Sequence, residues 1–140
     1  MKGKRGLVLG VANERSIAWG IANSLHKEGA QLAFTYQGEN LEKRVRPLAD
    51  SVGSDICISA DVQDKFSLDN VFNSLRGEWG TIDFLVHAIA YSDKNELSGR
   101  FVNTTKENFL KSLDVSCYSF VDLARRALPL MNNGGSLLTV

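Results

Sequence analysis

Gly10-Val11-Ala12-Asn13-Glu14-Arg15-Ser16-Ile17-Ala18-Trp19-Gly20 follows an apolar run of strand length, Arg5 to Gly10, and leads directly into helical spacing. A strand that passes through a glycine-led turn into a helix is the opening half of a βαβ unit. Ser16 is placed to start the helix, Ile17, Ile21 and Leu25 share one face, and Gly29 can end it, since a left-handed cap costs glycine no Cβ strain. Gly20 is placed to let helix and strand approach closely.

Outward from this stretch the alternation repeats to the last residue. Further strand-like runs cover Gln31 to Tyr36, Asp55 to Ala60, Ile82 to Ala88 and Ser136 to Val140, and most are continuously apolar, as parallel strands covered on both faces must be. Between them, Glu39 to Val52 keeps Leu41, Val45 and Leu48 at helical spacing, but Pro47 predicts a kink or a split, because proline lacks a donor and clashes with the preceding turn. Ser67 to Trp79 turns Leu68, Val71, Phe72 and Leu75 inward. The longest helix opens on Thr104 and Glu107 at capping-box spacing and carries Phe109, Leu113, Phe120, Leu123 and Leu128 toward Pro129. Right-handed crossovers then predict an α/β doubly wound parallel sheet in the order 3-2-1-4-5, with its ligand crevice at the carboxyl ends of the first and fourth strands.

Composition agrees with one domain and excludes several functions. The chain has 140 residues, 44% of them hydrophobic, and 16 Lys+Arg balance 16 Asp+Glu. Roughly two thirds of the unfolded surface can be buried at this size, so a core forms without disulfides or metal. A net charge of zero offers no field for nucleic acid or an anionic membrane surface. No apolar run approaches a membrane span or a signal-peptide core. Cys57 and Cys117 lack ligand-like neighbours and are expected to be buried thiols of a cytoplasmic protein, with no metal site.

The crevice-edge residues carry the chemistry. Gly10 supplies the tight turn, and Ser16 with Ile17 opens a helix whose backbone donors suit a pyrophosphate. The loop lacks a full GxGxxG, and an ordinary βα turn with Ser16 as N-cap would use the same residues. Gln37, after the second strand, is neither the acid of an NAD site nor the arginine of an NADP site; it can bond a ribose hydroxyl, which favours NADH. Asp61 and Val62 suit an adenine amine and ring face, although Asp61 can equally cap the next turn. Ala88, Ile89 and Ala90 are small enough for a flat ligand to lie across the sheet edge, and His87 reads as a strand histidine.

Together the spaced elements Gly10-Val11-Ala12, Ser16-Ile17-Ala18 and Phe34-Thr35-Tyr36-Gln37, with Asp61-Val62, Tyr118-Ser119-Phe120 and Gly135-Ser136-Leu137-Leu138-Thr139, resemble the amino-terminal part of the NADH-dependent enoyl-acyl-carrier-protein reductases. These are a divergent branch of the short-chain dehydrogenase/reductases, with a Rossmann-like fold. The resemblance implies NADH-dependent reduction of trans-2-enoyl-acyl-carrier-protein thioesters in fatty-acid synthesis, in a cytoplasmic homotetramer. It places Gly10, Ser16 and Ile17 at the pyrophosphate, Gln37 at the ribose, Asp61 and Val62 at the adenine, Ile89 at the nicotinamide and Ser92 at the acyl substrate, with the loop from Tyr91 to Phe101 bordering the acyl pocket. Ala88 stands where the family often has serine, and Ala90 where it has glycine.

The resemblance also implies a tyrosine and lysine, six residues between them, beyond the fifth strand. Tyr36 with Lys43 has that spacing but lies beside the adenosine end, and Tyr118 with Arg125 reads as a packing tyrosine and a surface charge. No catalytic residue is assigned. The expectation is a cofactor-binding domain over residues 1–140, cut within its fifth strand and without turnover by itself. A non-catalytic NAD(H)-binding regulatory or interaction module is the alternative.

Overall fold

In the computed structural model, which describes residues 1–131 and 134–140, five strands form a parallel sheet: β1 (Arg5–Leu9), β2 (Gln31–Tyr36), β3 (Cys57–Ser59), β4 (Phe84–His87) and β5 (Ser136–Thr139). They lie in the order β3-β2-β1-β4-β5, as the alternation predicts. Leu9 stands opposite His87, and His87 opposite Thr139, so the carboxyl ends of the central strands are level. The strands match the expected runs, most of them trimmed by one to three residues at their ends.

Alternating side chains split the core into two layers. Leu7, Leu9 and Leu85 pack against Leu68, Val71, Phe72 and Leu75 of α3 (Lys65–Trp79) and against Leu123 and Ala127 of α5 (Ser119–Ala127). On the other face Val8, Phe34 and Val86 meet Ala18 and Ala22 of α1 (Ile17–Lys27) and Val45 and Ala49 of α2 (Glu39–Ser51). The helices therefore cover the central strands on both faces, whereas all four residues of β5 stay exposed.

Several local expectations are corrected. In α1 the buried stripe is Ala18 and Ala22, with Ile21 and Leu25 partly buried, while Ile17 is 65% exposed. Close helix–sheet approach comes from those alanines; a Cβ built on Gly20 meets nothing within 4 Å. Gly29 does take the left-handed conformation just past the helix, at φ +85°. Helix α2 runs unbroken through Pro47. Pro47 is exposed, so the carbonyl that its missing N–H would have satisfied can bond water instead.

The long helix differs most. Its cap is Thr105, not Thr104: the Thr105 hydroxyl accepts from the Asn108 amide at 3.2 Å and donates to Glu96 at 2.7 Å. After α4 (Lys106–Leu113) the chain makes a π turn, Asp114–Tyr118, before α5. The buried stripe is Asn108, Val115, Ser119, Leu123 and Ala127, leaving Phe109, Leu113 and Leu128 exposed. Tyr118 is exposed as well and accepts from Arg125 at 3.2 Å, so it is no packing tyrosine. Neither cysteine is fully buried: Cys57 is half-buried and Cys117 exposed. Among the described residues no helix is long and apolar enough to cross a membrane.

Candidate functional site

Where the segments leaving the paired strands β1 and β4 part toward opposite faces of the sheet, the strand ends enclose a cavity of about 380 Å³. Its floor consists of residues 10–12 after β1, 35–37 at the end of β2, 60–63 after β3 and 88–91 after β4. Leu41 of α2, Lys111 of α4 and Val115 of the π turn complete the wall.

Gly10 is required by two independent constraints. Its φ is +98°, and a Cβ there would lie 1.9 Å from the Ala88 carbonyl oxygen. The turn after β1 is thus pressed against the turn after β4, and only a residue without a side chain allows it. Ser16 is the N-cap of α1 by backbone conformation but makes no cap hydrogen bond from its side chain. Its Oγ instead accepts from the backbone amides of Ala12 and Asn13, each at 3.0 Å, and so pins the loop ahead of the helix. The serine proton remains available to an acceptor, beside first-turn amides that a helix leaves without internal partners.

At the far side, Asp61 shapes its own turn and still faces the cavity. Its Oδ1 accepts from the Gln63 amide at 2.9 Å, and its amide donates to Ser67 Oγ at 2.9 Å. The cap of α3 is Asp64, which accepts from the Phe66 amide, so Asp61 is not spent on the helix. The π turn ties this region to α4: Asp114 accepts from Gln63 Nε2 at 3.1 Å, and Ser116 Oγ accepts from the Tyr91 amide at 3.0 Å.

His87 is a structural histidine. It is fully buried, with Nε2 2.8 Å from Ser119 Oγ and Nδ1 3.0 Å from Thr139 Oγ1. Because the Ser119 hydroxyl donates its proton to the Val115 carbonyl at 2.6 Å, it must accept from His87, which assigns the hydrogen to Nε2 and leaves Nδ1 to accept from Thr139. Burial pushes the His87 pKa below its ordinary value, which keeps the ring neutral.

Of the residues singled out from sequence, Gly10, Gln37, Asp61, Val62 and Ile89 line the cavity together. Ser16 and Ile17 stand at the adjoining helix start, outside the lining, and Ser92 is also outside it, its Oγ accepting from Asn108 Nδ2 at 3.1 Å. Sequence reasoning missed Leu41, Lys111 and Val115, and set Tyr36 beside the adenosine end without giving it a role. Tyr36 was legible from its place at a strand end, but Lys111 and Val115 reach the cavity only through the way α4 and the π turn lie over the sheet. The Lys111 ammonium sits 4.7 Å from the centre of the Tyr91 ring. Among the described residues no group of three or more His, Cys, Asp or Glu side chains could hold a metal ion.

A parallel sheet in this order, with its cavity at the switch point and a glycine turn feeding a helix start, defines a Rossmann-like α/β protein. Within that class, residues 10–140 match the family described as Enoyl-(Acyl carrier protein) reductase, and the chain belongs to that family. It is 55% identical, over all 140 residues, to enoyl-acyl-carrier-protein reductase (NADH) 2 of Rhizobium meliloti strain 1021, of which it covers 52%. Among solved structures, FabI from Candidatus Liberibacter asiaticus superimposes with a TM-score of 0.96 at 54% identity, over 99% of this chain and 54% of that one. The Anaplasma phagocytophilum reductase, solved in complex with NAD, gives 0.95 at 54% identity, over 99% of this chain and 53% of its own. The Bacillus cereus reductase, solved with NADP+ and an indole naphthyridinone, gives 0.94 at 44% identity, over 99% and 55% respectively. The chain spans about half the length of the curated relatives it matches.

Proposed function

We propose that the chain forms the NADH-binding part of an enzyme that reduces trans-2-enoyl-acyl-carrier-protein thioesters in fatty-acid synthesis. The observation that carries this reading is the cavity itself, built at the switch point by the same segments that match the family from residue 10 onward. NADH supplies the hydride when bound.

The residues fit such a cofactor. Gly10 lets backbone approach the pyrophosphate, with Ser16 and the Ile17 end of α1 offering a hydroxyl proton and backbone donors to its charge. Gln37 reaches the adenosine ribose. Asp61 keeps one carboxylate oxygen for the adenine amine, and Val62 covers the ring. Ile89 borders the nicotinamide, and Ser92, on the rim beyond the cavity, is assigned to the acyl substrate. No catalytic acid is assigned within residues 1–140. The enolate oxygen formed in such a reduction needs a preorganised donor, and the tyrosine–lysine pair of the family lies past β5.

Two further parts belong to the same proposal: a cytoplasmic location, and homotetramer assembly through the exposed apolar side of α4 and α5. Titrating the purified chain with NADH, and assaying NADH oxidation with a crotonyl thioester, tests the reading. Saturable NADH binding without turnover by residues 1–140 is expected. Failure to bind NADH would refute the assignment of the cavity.

A further inference from the structure

The Anaplasma phagocytophilum structure holding NAD and the Bacillus cereus structure holding NADP+ share this fold, yet their cofactors differ by one phosphate on the adenosine ribose. The wall where that phosphate would emerge is the end of β2, where Tyr36 and Gln37 line the cavity. Helix α2 starts two residues later with Glu39, and Glu42 completes its first turn.

A cation lies beside this wall. The Arg46 guanidinium carbon is 5.8 Å from the centre of the Tyr36 ring. Lys43 and Arg44 precede it on the helix, but Arg46 is the one stacked on a cavity-lining ring. It is already engaged: Nη2 lies 2.7 Å from Glu42 Oε1, an i,i+4 pair. Arg46 holds the Glu42 carboxyl below its usual range, while partial burial and Glu42 push the Tyr36 hydroxyl up. Neither Glu42 nor Arg46 lines the cavity itself, but a phosphate passing Tyr36 would meet the Glu42 carboxylate beside that ring, with the neighbouring guanidinium already paired.

We infer that Glu42 sets the preference for an unphosphorylated adenosine ribose, by clamping Arg46 in an ion pair that denies its guanidinium to a 2′-phosphate. This rests on the dinucleotide reading of the cavity. Removing the carboxylate charge while keeping its shape frees Arg46 for the charge-assisted pairing with phosphate that guanidinium groups favour.

The test compares NADH and NADPH dissociation constants, from the fluorescence of the reduced nicotinamide, for the protein, Glu42→Gln, and Glu42→Gln with Arg46→Gln. Glu42→Gln is expected to narrow the preference for NADH over NADPH by about two- to threefold, the scale of an exposed i,i+4 ion pair. The second substitution is expected to cancel that gain. An unchanged preference in Glu42→Gln, or a gain that survives loss of Arg46, overturns the inference. Absence of NADH binding by the unsubstituted protein overturns instead the dinucleotide reading beneath it.

Discussion

Gly10 shows how narrow the tolerance is at single positions. Gly10→Ala must strain a backbone at φ +98° and displace the Ala88 carbonyl, so a loss of about 3 kcal/mol or more is expected in urea unfolding. Gly20→Ala, where the added Cβ meets open space, is expected to be neutral or to stabilise the helix by up to about 1 kcal/mol. His87 gives a prediction with a defined sign. Burial lowers its folded-state pKa, so the unfolded chain takes up the proton first as pH falls. Its contribution to stability is present above the ordinary value of 6.5 and lost below it. Thermal unfolding followed from pH 7.5 down to 5.5 should show a falling midpoint, and His87→Gln should flatten that part of the profile.

Elements obey the same bookkeeping of donors and acceptors. Ser119 joins the π turn to β4, and Ser119→Ala would leave the buried His87 Nε2–H without its acceptor, a cost of about 1–3 kcal/mol by chemical denaturation. Pro47→Ala should act in the opposite direction, restoring a donor to an otherwise continuous α2 and raising the unfolding midpoint by the equivalent of about 1–3 kcal/mol. These two elements also show where sequence reading stops. The inward face of α3 was legible because Leu68, Val71, Phe72 and Leu75 follow one helical period, and all four are buried. The long helix misled because a π turn adds a residue without leaving a mark in composition. The apolar residues Phe109, Leu113 and Leu128 formed the more conspicuous stripe, whereas the buried one includes the polar Asn108 and Ser119, whose side chains are hydrogen-bonded.

That exposed stripe has its consequence at the scale of the whole molecule. Phe109, Leu110, Leu113 and Val121 are each between 42% and 54% exposed, more apolar surface along one helical unit than isolated surface residues would give. If it is covered by further copies of the chain, as proposed, sedimentation of the protein should show an assembly, and Leu113→Glu with Val121→Glu should yield monomers with unchanged far-ultraviolet dichroism. A monomeric unsubstituted protein would remove that part of the proposal.

The order of strands, their parallel direction and the end of the sheet that holds the cavity all followed from the alternation of apolar strand runs with helical spacing. Burying both sheet faces under right-handed crossovers leaves few other arrangements. Gly10, Gln37, Asp61, Val62 and Ile89 were legible for the same reason, since they lie in the chain at strand ends that topology brings together. Tertiary structure alone decided which side of each helix is buried, that Ser16 pins a loop instead of capping its helix, and that Lys111 and Val115 border the site. Those outcomes depend on helix rotation and on distances between residues far apart in the chain, and local periodicity carries no record of either.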